Sequence, residues 1–241
     1  MKRIIATLLL IASCAFAQYN PGTENNQGHH FRRGFYFSTS TGITYTSINY
    51  FREEMTYNRL EIIKSEFSGL LTYGEARLGV SITNWPSFYG VMGFGYGSGR
   101  YSDKIENSLD HTQGTFEESG DEVFRILVGL GGEYVYPFQE IESSANGLFF
   151  GISAGFIVDF VNYTDHDTDE VFDYTTSTDF GNFFFRFETG KDWWISRRWS
   201  IGAAFNYTLS VFDQEYAGYN NYTNKESSTG HTFGLMFRIT H

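Results

Sequence analysis

Read at period two, the stretch 199–211 sets Trp199, Ile201, Ala203, Phe205, Tyr207, Leu209 and Val211 against Ser200, Gly202, Asn206, Thr208 and Ser210. That alternation is the mark of a strand with one apolar and one polar face. Seven further stretches repeat it with some lapses: 35–45, 70–82, 88–101, 123–136, 148–163, 180–193 and 232–241. In 123–136, for example, Phe124, Ile126, Val128, Leu130, Tyr134 and Tyr136 oppose Arg125, Gly129, Gly131 and Glu133. The third stretch is rich in glycine, and its outward set reads as Phe88, Met92, Phe94 and Tyr96. Each stretch reaches or exceeds the roughly 9–11 residues that a tilted strand needs to cross a bilayer.

The connections alternate in length. Long polar segments, 47–66, 102–121, 164–178 and 213–228, follow the odd-numbered strands, and shorter links, 83–87, 137–147 and 194–198, follow the even ones. Long on one side and short on the other is the plan of a transmembrane barrel with an even strand count. A β-sandwich has no reason to alternate so regularly. The expected fold is therefore all-β, an eight-stranded antiparallel up-and-down transmembrane barrel over 34–241, with short periplasmic turns and long acidic extracellular loops.

The closing stretch adds a resemblance. Thr232, Gly234, Leu235, Phe237 and Ile239 are similar to the C-terminal signature of bacterial outer-membrane β-barrels: a polar residue, a Gly, an apolar residue, then two alternate large apolar positions. The chain departs from it by carrying Ile239, Thr240 and His241 where that group closes on an aromatic residue. In architecture the chain resembles the OmpA-like and OmpX-like small-barrel families. The resemblance implies a bacterial outer-membrane location, contact with membrane lipid and lipopolysaccharide, and Gly234, Leu235, Phe237 and Ile239 as the residues read by the assembly machinery.

Composition sharpens the picture. The chain holds 25 Phe, 17 Tyr and 26 Gly against 3 Pro, which is a β-rich and not a disordered usage. A mean hydropathy of −0.30 suits a barrel that meets lipid on alternate residues only. Beyond the N-terminus no run of about 18 apolar residues exists to make a helical span. Residues 1–17 read as an export signal, with Lys2 and Arg3, an apolar run from Ile4 to Ile11, and Ala15-Phe16-Ala17 as a cleavage site. The competing reading is a lipoprotein box, Ile11-Ala12-Ser13-Cys14, with Cys14 lipidated; both stay open at this point. Residues 18–33 form an aperiodic polar lead-in. Cleavage after Ala17 removes two of the 17 basic residues, leaving 15 against 28 acidic, a net charge of −13 that argues against nucleic acid as a partner. It also removes the single cysteine, and with it thiol chemistry.

Four constellations stand out. Glu75, Arg77, Arg125, Glu133, Asp159, Arg186, Glu188 and Arg238 fall on the polar face of their strands. Eight strands leave room only for side chains, so these charges are expected to pair as a plug, and the barrel is not a general porin. Trp85, Trp193, Trp194 and Trp199 flank two short turns and form the expected interfacial girdle. Tyr45, Tyr101, Tyr163 and Tyr216 suggest a second girdle at the opposite ends. Asp165, Asp167 and Asp169 have a spacing that suits a weak Ca²⁺ site, although Glu170 and Thr176 depart from an EF-hand loop. The long segments hold 18 of the 28 carboxylates, so a solvated acidic surface is the plainer reading of them. No cofactor motif and no Ser-His-acid pattern is readable, so a non-enzymatic structural or surface-interaction role is expected. The alternative is a soluble or lipid-anchored lipocalin-like barrel that binds a small ligand, which would turn Phe inward and Glu and Arg outward.

Overall fold

The computed structural model describes residues 34–56, 59–81, 86–107, 113–135, 147–164, 175–196, 199–218 and 222–241. Eight strands run through them: β1 Gly34–Thr56, β2 Arg59–Ser81, β3 Pro86–Asn107, β4 Gln113–Val135, β5 Leu148–Thr164, β6 Thr175–Trp194, β7 Ser200–Ala217 and β8 Thr223–Thr240. Each pairs antiparallel with the next, and β8 returns to β1, so the sheet closes into a barrel. Closure removes the free edges that would otherwise recruit another chain. The expected signal 1–17, the lead-in 18–33, Trp85, and Asp165, Asp167 and Asp169 lie outside the described residues.

Register fixes the barrel's shape. Followed from Ser38, the ladders pass through Arg77, Val91, Gly129, Gly155, Phe184, Ser210 and Gly230 and return to β1 at Ile48, ten residues beyond the start. A stagger of ten over eight strands tilts them by about 41° and leaves about 2.5 Å of height per residue. From Phe35 to Tyr45, the outward apolar residues of β1 span about 25 Å, the height of a hydrocarbon-facing band.

The two walls of this barrel have opposite chemistry. Outward side chains include Leu130 and Leu235, which are 74% and 70% exposed, and Phe88, Met92, Phe94 and Tyr96 of the glycine-rich β3. Inward side chains include four arginines and five carboxylates, all buried. This polarity is the reverse of a soluble barrel's and sets aside the lipocalin-like alternative. Glycine on the inner wall of β3 makes room for large side chains of β2. A Cβ at Gly93 would lie 1.9 Å from the Tyr73 hydroxyl, so only glycine lets that ring cross the lumen.

Strand length differs from the sequence reading. The segments 47–66, 102–121 and 213–228 are mostly strand instead of loop, because β1 and β2 pair without a break from Gly34↔Ser81 to Thr56↔Arg59. Above the apolar belt both faces mix polar with apolar residues, as with Ile48, Phe51, Ile62 and Ile63 among Arg52, Glu53 and Lys64, so period-two contrast fades while the backbone ladder continues. The upper parts of the strands therefore form a collar standing above the belt.

Candidate functional site

The lumen is the most highly organised part of the molecule. Its lower cluster gathers Glu75 and Arg77 from β2, Glu133 from β4, Arg186, Glu188 and Asp192 from β6, and Arg238 from β8. Arg77 Nε donates to Glu75 Oε1 at 2.7 Å and Nη1 to Glu188 Oε1 at 2.9 Å. Arg238 is gripped by Glu133, with Nη1 2.7 Å from Oε2 and Nη2 2.9 Å from Oε1, and its Nη2 also donates to Asp192 Oδ2 at 3.1 Å. Arg186 pairs with the second oxygen of Glu75, donates from Nε to the Thr208 hydroxyl at 3.0 Å, and donates from Nη2 to the Tyr73 hydroxyl at 3.1 Å. A buried charge needs a partner for each polar atom, and here each guanidinium has several.

Aromatic rings complete the packing. The Arg77 guanidinium lies 5.0 Å from the Tyr89 ring centre, Arg186 lies 5.4 Å from Tyr73, and Arg238 lies 3.8 Å from Phe149. A cation over a ring face recovers part of the hydration lost on burial. Tyr36 stacks on Tyr89 at 5.6 Å and turns its hydroxyl toward Glu133.

The upper cluster is a single ion pair. Arg125 Nε and Nη2 bind the two oxygens of Asp159 at 2.6 and 3.0 Å, while Nη1 donates to the hydroxyls of Thr46 and Thr232 at 2.9 and 2.8 Å. Above it an apolar layer of Ile48, Phe67, Leu71, Tyr101, Val123 and Val161 packs inside the lumen. Charged groups thus fill the barrel at belt height, and an oily layer caps them on the collar side.

The eight charged residues selected from the sequence are all buried on the inner wall, and Asp192 joins them as a ninth. Asp192 shares the inward parity of Arg186 and Glu188, which was the available signal. A Cβ at Gly202 would fall 2.1 Å from its Oδ1, so glycine at that position makes space for the carboxylate. With Asp192 counted, the buried charges of the described lumen are four arginines against five carboxylates instead of an even balance.

At the lower rim, Trp193 is 49% exposed beside Lys191, and Trp199 packs edge-on against His241 at 4.7 Å. Trp194 is half-buried at the same rim. The second tyrosine girdle needs correction. Tyr45 faces outward, but Tyr101 is 2% exposed in the apolar layer. Its strand parity turns it inward, and a register shift beside it, between Gly99 and Arg100, adjusts the pairing with β4. Tyr216 lies in the collar at the far end of β7, opposite Asn224 of β8. The side chain of Tyr163 lies outside the described residues.

No family model matches the chain, and no curated protein matches it in sequence. Among solved structures it is similar to the outer membrane protease OmpT from Escherichia coli, at 9% identity and a TM-score of 0.44, over 89% of this chain and 99% of that one. It is also similar to the outer membrane protein OprG from Pseudomonas aeruginosa, at 10% identity and a TM-score of 0.42, over 89% and 98%. Neisserial surface protein A gives 11% identity and a TM-score of 0.37, over 84% and 96%. Identity at this level transfers no residue role.

Proposed function

We propose that this chain is a sealed outer-membrane barrel with a structural or surface-interaction role, exported by its first 17 residues and presenting its strand-built collar to the medium. The observation that carries the reading is the inverted polarity of the wall, with Leu130, Phe156 and Leu235 outermost and Arg77, Arg125, Arg186 and Arg238 buried. An apolar belt about 25 Å high has no stable place in water and fits a bilayer. The location is the bacterial outer membrane, where closed barrels of this kind satisfy every backbone group without water.

The lumen's contents argue for a plug over a conduit. Its guanidiniums and carboxylates are engaged with one another, and the apolar layer around Phe67 and Tyr101 stands across the path. In this reading the chain is neither a general porin nor an enzyme, needs no cofactor, and meets membrane lipid, lipopolysaccharide and the assembly machinery as partners. Trp193, Trp194 and Trp199 anchor the periplasmic rim.

Insertion tests it. Leu235→Arg places a charge at mid-belt and is expected to cost about 2–4 kcal/mol, so the variant accumulates in the periplasm. Asp213→Arg, on the exposed wall above Val211, is expected to insert normally. Outer-membrane fractionation, with the mobility shift between unheated and boiled samples, reads both. Equal insertion of the two variants contradicts the membrane placement.

A further inference from the structure

The collar is not paired all the way round. Between β6 and β7 the ladder stops at Phe183↔Val211, although both strands continue upward. β7 stays paired with β8 as far as Ala217↔Thr223, and β6 stays paired with β5 as far as Thr164↔Thr175. Among the described residues, 212–217 therefore lie in a strand that has a paired neighbour on one side only. Burial marks the same break. The inward positions Asn206, Thr208 and Ser210 are buried, whereas Phe212 and Tyr216, of the same parity, are half-buried and Gln214 is exposed. An open strand edge about 20 Å long thus begins directly above the belt.

Such an edge is a row of backbone donors and acceptors, and natural sheets blunt one with lysine, proline or a bulge. The stretch 212–217 holds neither lysine nor proline, and its ladder with β8 runs without a register shift. It carries Asp213 and Glu215 instead, both exposed on the outer face. Asp213 stands opposite Ser227 and Glu215 opposite Lys225, and Glu53 lies on the far side of Lys225, so three acids meet one base on this part of the wall. That charge selects the occupant. A second copy paired antiparallel on the same edge would set Asp213 and Glu215 against Asp213 and Glu215 in the registers of greatest overlap, and like charges placed opposite each other destabilise a sheet. The connection 165–174 adjoins β6 but carries five acids and neither Lys nor Arg, so its charge opposes the edge as well. A basic strand is complementary. Because side chains alternate, its residues opposite Asp213 and Glu215 face outward and those opposite Phe212, Gln214 and Tyr216 face into the collar, where an apolar side chain meets two aromatic rings.

We infer that the β7 edge 212–217 binds an extended segment of a partner protein in which basic and apolar residues alternate, as an added strand antiparallel to β7. Backbone hydrogen bonds hold such a segment, and the alternate side chains choose it. This rests on the surface-interaction reading and gives that role a place in the fold and a partner of defined chemistry.

The test uses the full mature chain refolded in nanodiscs of zwitterionic lipid and a labelled peptide of alternating lysine and valine, titrated by fluorescence anisotropy. Two peptides serve as comparisons: one with glutamate in place of lysine, and one with the lysines kept but every backbone nitrogen methylated. Wild type is expected to bind both about tenfold or more weakly than the lysine peptide. The double variant Asp213→Lys, Glu215→Lys should reverse the preference and favour the glutamate peptide. Glu66→Lys with Glu122→Lys makes the same change in net charge on other strands of the collar, and should leave lysine-peptide binding within about twofold of wild type. Equal losses in the two double variants overturn the site, because bulk charge then explains the binding. Equal binding of the methylated peptide overturns it too, since no strand is then added. A dimer of wild type that the peptide dissociates in analytical ultracentrifugation assigns the edge to a second copy and also overturns it. Heat modifiability and fractionation of the same proteins report separately on membrane placement. An inserted wild type that ignores the lysine peptide therefore refutes the edge site and leaves the barrel reading standing.

Discussion

The two charge clusters inside the barrel solve one problem in different ways. In the lower cluster three arginines meet four carboxylates, and Arg77 and Arg238 each touch more than one of them. In the upper cluster Arg125 has one carboxylate, Asp159, and fills its remaining donors with the threonine hydroxyls of β1 and β8. Redundant pairing spreads the loss of any one partner over several contacts. A solitary pair concentrates it. The lower cluster should accordingly tolerate substitution, and the upper one should not.

The largest effect is expected at the solitary pair. Asp159→Ala leaves the Arg125 guanidinium buried with hydroxyls alone, and should lower stability by about 3–5 kcal/mol in urea unfolding of the refolded barrel. Adding Arg125→Met should recover most of that loss, since an apolar side chain of similar length removes the orphaned charge. If the double variant is as unstable as the single one, shape and not charge sets the cost.

A smaller effect is expected at Asp192. Arg238 keeps both oxygens of Glu133 and a 3.2 Å contact to Glu188 when Asp192 is neutralised, so Asp192→Asn should cost about 1–2 kcal/mol at most. The change also brings the buried charges of the described lumen to four arginines and four carboxylates. A loss as large as that of Asp159→Ala would erase the distinction between the clusters.

The smallest effect lies outside the belt. In the collar, Tyr50 donates to Glu226 Oε1 at 2.8 Å, and burial together with that carboxylate holds its phenol above the ordinary 10.0. Tyr50→Phe should cost about 0.5–1.5 kcal/mol. Because the folded state holds the proton more tightly, this contribution is full below pH about 10 and declines as pH rises beyond it, so the variant and wild type should converge in alkali. Urea unfolding at pH 8 and at pH 11 checks the sign.

Much of this arrangement is written in the alternation of residues. Parity alone places Arg77, Arg125, Arg186 and Arg238 on one wall and Leu78, Phe124, Phe187 and Phe237 on the other, because the strand period is two. Which carboxylate meets which guanidinium is not written there. Glu188 reaches Arg77 across the lumen only because the barrel closes with a stagger of ten residues, and register over eight strands is a property of the whole sheet. The collar was equally hidden, since in 47–56 and 59–66 apolar residues such as Ile48, Phe51, Ile62 and Ile63 fall on both faces and the alternation is lost. Tyr101 misled for a local reason: a tyrosine near the end of an apolar stretch looks interfacial unless its inward parity is followed through.

The central claim is that neighbouring residues of one strand face lipid and lumen in turn. Methyl-labelled protein in nanodiscs tests it without any substitution, through nuclear Overhauser contacts between side-chain methyls and lipid acyl chains. Leu70, Val128, Leu130, Ile152 and Leu235 are outward and should show strong contacts, whereas Ile48, Leu71, Leu127 and Ile157 are buried and should show none. The adjacent pairs Leu70 with Leu71 and Leu127 with Val128 are the decisive ones, because only the face differs within each. Lipid contacts on the outward member alone are the result the account predicts; contacts on both members, or on the inward one, contradict it.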